Sequence, residues 1–373
     1  MQTQFVLDDV VTVLGPDGVA DPATDPKLPG ETAVKLFKHM LFTRLLDERL
    51  VLLQRQGRIG FHIGSLGEEA CILGPAAALG DDDWIWPCYR EFGALLLRGM
   101  PLQTYLDNMY GNANDAVKGR QMPDHYSGRP YKFGSVSSPI GTQITQAVGF
   151  SWAAKMKGDP SVSLVFFGEG ATSSSEFHNG MNFAGVYKTP TVFLCRNNGW
   201  AISVPAANQT ASQTFAQKAF AYGMTAVRAD GNDLLAMIKV TRDAIERGRR
   251  GEGPTLIEAI THRLSGHSTS DDPKAYRNEA EMAAERAKDP MPRMRAYVVA
   301  QGLWDDTQEK AWTEQVDGEI KRAVEAAEKA PAPALHTMFE DVYATQPWHL
   351  AEQQAEAERA PRPAGHGGGG GGH

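Results

Sequence analysis

The chain of 373 residues holds only three cysteines, Cys71, Cys88 and Cys195. They are odd in number and far apart, which suits neither a disulfide framework nor a zinc site and leaves buried free thiols. No apolar run approaches the ~18 residues of a membrane-spanning helix. A basic surplus is also missing, since 37 Lys+Arg stand against 45 Asp+Glu for a net charge of −8, and this argues against a nucleic-acid partner. The first residues, MQTQFVLDDVVTVLGPDG, are acidic rather than basic and amphipathic, so the expectation is a cytoplasmic protein without a membrane partner. The Gly-rich Lys-Ser/Thr loop of nucleotide hydrolases and a post-strand GxGxxG are both absent, which removes the commonest phosphate-binding signatures. What is present, 42% hydrophobic and 22% charged residues, is material for a substantial core and excludes disorder of the whole chain.

The chain divides by pattern. Residues 1–30 are rich in Pro, Gly and Asp and read as an arm lying over something else. From Glu31 to Gln56, Val34, Phe37, Leu41 and Leu45 recur at helical spacing, with Phe42, Leu46 and Leu53 widening the stripe, so a long amphipathic helix is predicted. Gly111 to Ser138 is polar and aperiodic, and a loop of that length is usually functional. The middle alternates by element type. Val162–Phe167 and Thr191–Cys195 are short apolar runs fit for buried strands, separated by a helical stretch from Ser173 to Tyr187. Thr225–Arg228, a helix over Asp233–Arg247 and Thr255–Ile260 continue the alternation. The predicted fold is therefore α/β, a parallel sheet flanked by helices, over residues 31–345. A helical C-terminal part begins near Glu279, and a disordered tail from about Glu352 ends in HGGGGGGH.

The carboxyl edge of the predicted βαβ unit carries the chemistry. Strand one runs into Gly168-Glu169-Gly170-Ala171, and strand two runs into Arg196-Asn197-Asn198-Gly199. Parallel strands bring both turns to the same edge, where open α/β folds bind ligands. Glycines let a backbone approach closely, and the N-terminus of the following helix favours an anion. Glu169 and Asn198 offer a carboxylate and an amide oxygen, hard ligands of the kind Mg²⁺ takes when phosphate oxygens complete its shell. Arg196 adds a charge able to fork onto phosphate. A divalent ion plus one or two arginines nearly neutralises a diphosphate, so an acidic chain is no obstacle.

Gly-Glu-Gly followed by Asn-Asn one crossover later resembles the thiamine diphosphate signature, with Glu169 where Asp is usual. The resemblance spreads over most of the chain through Tyr89-Arg90-Glu91, GRQMPDHY (119–126), SSPIGTQITQAVG (137–149), FGEGATSSSEFH (167–178), CRNNGWAIS (195–203) and GHSTSDDPKAYR (266–277). On these residues the chain is similar to the alpha subunits of the thiamine-dependent decarboxylase component of 2-oxoacid dehydrogenase complexes, nearest the branched-chain type. Pyruvate or acetoin processing is the alternative within that family.

The resemblance implies the thiamine diphosphate-binding fold and a set of roles. Tyr89, Arg90, Arg196 and His267 would meet the diphosphate, Ser138 the thiamine ring, and Gly170 and Ala171 would present backbone to the cofactor. Glu169, Asn198 and the backbone carbonyl of Trp200 would ligate Mg²⁺. Ser137, Pro139, Thr142 and Gln143 would hold a monovalent cation, potassium. His267 would be the catalytic residue, stabilising charge or guiding transfer, and a phosphate on the neighbouring Ser268 would add about 1.5 to 2 negative charges beside the diphosphate. The implied partners are a beta subunit in an α2β2 heterotetramer, which would supply the pyrimidine-activating glutamate, a lipoyl-bearing acyltransferase, and a small 2-oxoacid. Without the resemblance, Tyr89-Arg90 would read as a surface pair, His267 as one residue of a solvated loop, and Ser137-Ser138 as turn formers.

Overall fold

The computed structural model describes residues 9–361. The chain forms strands β1 (Val10–Val11), β2 (Trp84–Trp86), β3 (Ser163–Gly168), β4 (Thr191–Asn197), β5 (Trp200–Ala201), β6 (Val204–Pro205), β7 (Thr225–Asp230) and β8 (Thr255–Ile260). Six of them make one sheet in the order β1-β7-β8-β4-β3-β2, with every pair parallel, while β5 and β6 form a small antiparallel ribbon. Residues 163–167 of β3 are fully buried, as a strand covered on both faces must be. The side-chain alternation divides it cleanly. Leu164 and Phe166 join one core with Leu194 and Ile257, and Val165 and Phe167 join a second with Phe193 and Leu256.

Helices cover both faces. α1 (Gly30–Arg55), α2 (Glu69–Ala78), α3 (Phe92–Leu97), α4 (Leu102–Tyr110), α5 (Thr142–Lys157), α6 (Ser175–Tyr187) and α7 (Leu234–Arg249) precede or interleave with the strands. α8 (Glu279–Arg286), α9 (Pro290–Ala300), α10 (Asp306–Lys329) and α11 (Trp348–Arg359) follow them. α2 and α7 pack closely because Gly74 leaves room: a Cβ there would lie 2.8 Å from Met237 Cβ. Asp233 caps α7 by accepting from Ala236 N at 3.0 Å. Its other oxygen takes Val13 N and Leu14 N at 2.7 and 2.6 Å, which fastens the N-terminal arm to the sheet. The arm thus extends the sheet, with Val10 paired to Arg228.

Three expectations change. The long helix is present and buries Phe37, Phe42, Leu46 and Leu53 of the expected stripe, but its buried face also takes in Ala33, Leu36, Met40, Thr43, Asp47 and Leu50, while Val34, Leu41 and Leu45 are only half-buried. An apolar stripe could mark only part of this face because it also contains a buried Asp and a buried Thr. The helix after β3 begins at Ser175, not Ser173, since Glu169–Ser173 first form a 3₁₀ turn and Ser174 caps α6 by accepting from Phe177 N. Residues 352–359 belong to the exposed helix α11 rather than to a disordered tail; the rest of that segment from 362, like residues 1–8 of the arm, lies outside the described residues. Cys71, Cys88 and Cys195 are buried free thiols. Among the described residues no helix is long and apolar enough to cross a membrane.

Candidate active site

Register places the two predicted turns side by side. Gly168 pairs with Arg196 across β3 and β4, so Glu169 and Asn197-Asn198 leave the sheet at the same level. Gly170 must be glycine, because a Cβ there would meet Ala201 Cβ at 2.7 Å as the β5–β6 ribbon folds over the turn. Gly199 holds a left-handed φ of +83° in the second turn. A cavity of about 400 Å³ opens at this edge. Tyr89, Arg90 and Ser138 line it from the loops after β2 and before α5. Glu169, Gly170, Ala171, Arg196, Asn198 and Trp200 line it from the sheet edge, and His267 from the loop after β8. The phosphate- and magnesium-directed residues of the sequence reading therefore share one chamber.

Its charges are arranged around Glu68, which is 1% exposed. Glu68 Oε2 accepts from Arg196 Nη1 at 2.5 Å and lies 4.0 Å from Arg90 Nε, and Oε1 accepts from Asn198 Nδ2 at 2.7 Å. Arg196 Nη2 stands 2.9 Å from Glu91 Oε1, so Nε, buried and without a protein partner, is the donor that Arg196 has left for a ligand. Arg90 donates from Nη1 to Gly64 O and from Nη2 to His267 O at 2.7 Å, with Nη2 also 3.2 Å from His267 Nδ1. A guanidinium only donates, so Nδ1 accepts and the neutral ring carries its proton on Nε2. Burial, then the charges of Arg90 and Arg263, lower the His267 pKa to about 4. His267 is therefore an uncharged donor at neutral pH.

Glu169 is the natural seat of a cation. It is 1% exposed, it accepts from Gln209 Nε2 at 3.3 Å, and it forms no ion pair among the described residues. Burial accordingly pushes its carboxyl pKa up, a strain that a bound cation would relieve. Asn198 Oδ1 accepts from Trp200 N at 3.1 Å, which turns the amide oxygen toward the same turn and keeps a second lone pair. Among the described residues no group of three or more His, Cys, Asp or Glu is placed to hold a metal. An ion here would draw on one carboxylate, one amide oxygen, a backbone carbonyl and phosphate oxygens, a set that fits Mg²⁺.

Ser138 lies at the mouth. Its hydroxyl bonds His125 Nε2, and since Nδ1 faces Pro123 O at 3.0 Å and must donate, Ser138 is the donor to Nε2. Ser137 and Pro139 precede α5, Thr142 Oγ1 donates to Pro139 O at 3.1 Å, and Gln143 donates to Phe166 O at 2.9 Å. The four residues of the proposed monovalent site thus gather at the start of α5, outside the chamber wall.

The loop 265–277 is tied down at several points. Thr269 N donates to His62 O at 3.0 Å and His62 N to Thr269 Oγ1 at 3.1 Å. Asp271 accepts from His267 N at 2.5 Å and from Tyr276 OH at 2.6 Å, and Tyr276 OH accepts from Arg263 Nη2 at 2.9 Å. Arg263 is a third buried guanidinium on the cavity, and Glu68 is the buried carboxylate behind it that joins Arg196, Arg90 and Asn198. Neither was assigned a role from sequence. The available signal was Glu68-Glu69 directly before the apolar run Ala70–Leu73, two carboxylates with no polar face to occupy.

Residues 37–336 match the family described as dehydrogenase E1 component. The chain belongs to this family. It is 42% identical over 342 residues to the mitochondrial 2-oxoisovalerate dehydrogenase subunit alpha of Homo sapiens, covering 91% of this chain and 77% of that protein. The Caenorhabditis elegans protein of the same name is 42% identical over 342 residues, covering 91% and 79%. The Arabidopsis thaliana subunit alpha 2 is 41% identical over 325 residues, covering 87% and 69%. E1 components depend on thiamine diphosphate, and an E1 alpha subunit implies a beta subunit and a larger complex.

Proposed function

We propose that this chain is the alpha subunit of a branched-chain 2-oxoacid dehydrogenase E1 component, acting on 3-methyl-2-oxobutanoate and related 2-oxoacids and passing the acyl group to a lipoyl group. The observation that carries the reading is the meeting of Glu169, Asn198, Arg90, Arg196 and His267 in one chamber whose wall also presents an apolar patch of Phe61, Ile63, Met122, Ile140 and Ile202. When bound, thiamine diphosphate supplies the carbon nucleophile and the electron sink for decarboxylation. Glu169, Asn198 and the Trp200 carbonyl hold Mg²⁺; Arg90, Arg196 and Tyr89 take phosphate oxygens. Gly170 and Ala171 offer backbone to the cofactor, and Ser138 faces the ring from the mouth. Ser137, Pro139, Thr142 and Gln143 hold potassium. His267, neutral with Nε2–H as its donor, contributes a hydrogen bond to developing charge without adding a cation.

The apolar wall supports a branched side chain. Two more carbons than pyruvate, at about 0.8 kcal/mol per buried methylene, favour the branched substrate by on the order of tenfold. The pyrimidine-activating glutamate comes from the beta subunit in an α2β2 assembly, and a lipoyl-bearing acyltransferase receives the acyl group. The test is steady-state kinetics of the chain with and without its partner subunit. We expect no decarboxylation by the chain alone. The assembly is expected to need thiamine diphosphate and to show a higher kcat/KM on 3-methyl-2-oxobutanoate than on pyruvate. A preference for pyruvate would overturn the substrate, and turnover by the lone chain would overturn the shared site.

A further inference from the structure

Glu68 precedes α2 directly, and its carbonyl accepts Ile72 N at 3.1 Å, so its backbone is fixed by the first turn of that helix. From this anchor its carboxylate reaches Arg196 at the end of β4, Asn198 in the turn after it and Arg90 in the loop after β2, none of them close to it in sequence. Two guanidinium groups flank it, Arg196 Nη1 at 2.5 Å and Arg90 Nε at 4.0 Å, so it pairs with them as a carboxylate and accepts only.

That fact decides which way Asn198 points. An amide can present oxygen or nitrogen to a cation, and the two orientations have nearly the same shape. An ionised carboxylate can face only Nδ2, and Trp200 N–H can face only Oδ1, so both neighbours select the same orientation. We propose that Glu68 is a positioning residue: its carboxylate fixes Asn198 as an oxygen donor for Mg²⁺ and holds Arg196 alongside, so that metal affinity depends on a side chain that does not touch the ion. The inference rests on the metal assignment proposed above and goes beyond it in naming what orients the ligand.

Glu68→Gln is the informative change because it keeps shape and removes the acceptor-only character. If the Gln oxygen faces Arg196, its amide nitrogen opposes Asn198 Nδ2, and Asn198 must turn its nitrogen toward the cation and give up Trp200 N–H. If the oxygen faces Asn198, two buried donors oppose each other at Arg196. Either arrangement weakens the site. The control is Glu69→Gln, the next residue, equally buried but paired with Arg44 Nε at 2.6 Å instead of with Asn198 and Arg196.

The experiment titrates Mg²⁺ against thiamine diphosphate binding, followed by calorimetry on the chain assembled with its partner subunit, alongside thermal unfolding without Mg²⁺. In Glu68→Gln the Mg²⁺ concentration for half-saturation should rise about 10- to 100-fold, as for other residues that orient metal ligands. Glu69→Gln should lower the unfolding temperature and leave that concentration unchanged. An unshifted Mg²⁺ dependence in Glu68→Gln, or an equal shift in Glu69→Gln, would overturn the positioning role while leaving the metal assignment in place. A wild-type assembly that bound thiamine diphosphate without any divalent ion would remove the metal assignment itself and this inference with it.

Discussion

Replacing His62 with Gln should destabilise the protein in a way that depends on pH. His62 is fully buried between two carboxylates, Asp47 Oδ1 and Asp124 Oδ2, each at 3.0 Å from a ring nitrogen. Burial alone would lower its pKa, but Asp124 and Asp47 outweigh that and raise it to about 10. The imidazolium is thus retained across the physiological range. A rise from 6.5 to about 10, at 1.36 kcal/mol per unit, corresponds to roughly 5 kcal/mol favouring the protonated folded state. Removal of one member of a buried charged pair independently costs about 3–5 kcal/mol. The two routes agree in scale. Because the folded pKa lies above the unfolded one, the contribution is complete below about pH 6.5 and is lost as pH rises through about 10. In the variant two buried carboxylates face one neutral amide, and one of them must take up a proton. Its stability should then improve as pH falls, with no loss specific to the alkaline window.

The effect should reach the active site. His62 lies in the segment that gives Phe61 and Ile63 to the cavity wall and Gly64 O to Arg90. Urea unfolding of the full chain at pH 7 and pH 9.5, followed by tryptophan fluorescence, reads the stability. Asp124→Asn, which keeps shape and removes one charge, should lie between wild type and His62→Gln. If His62→Gln unfolded within about 1 kcal/mol of wild type at pH 7, with the same change between the two pH values, the buried charge triad would not be the support described.

Three further outcomes follow from the same geometry. Glu169→Ala and Asn198→Ala should each abolish Mg²⁺-dependent thiamine diphosphate binding with the fold intact, and undiminished affinity by calorimetry in both would remove the metal ligands. Arg90→Gln removes one of the charges that lower the His267 pKa to about 4, so an NMR titration should show it rising toward 6.5, and a stationary value would refute the tautomer argument. Ser268→Glu brings about one negative charge close to the diphosphate and should reduce acyl transfer strongly and loosen residues 265–277; hydrogen exchange equal to wild type throughout that loop would end the idea.

What the sequence determined is local in character. β3 and β4 were legible because a strand buried on both faces is apolar throughout, and their parallel pairing then required Glu169 and Asn198 to leave the same sheet edge. The cap at Asp233 and the glycines of the two turns also report their own backbone conformation. The tertiary structure decided matters that depend on distant partners. α1 buries Asp47 and Thr43 instead of a pure apolar stripe because His62 and Ser65 receive the Asp47 charge. Glu68 stays buried as a charge because Arg196, Arg90 and Asn198 arrive from two other segments. A buried charge carries no periodicity of its own. Desolvation forbids it until the fold supplies its partners, so its position becomes visible only once those partners are in place.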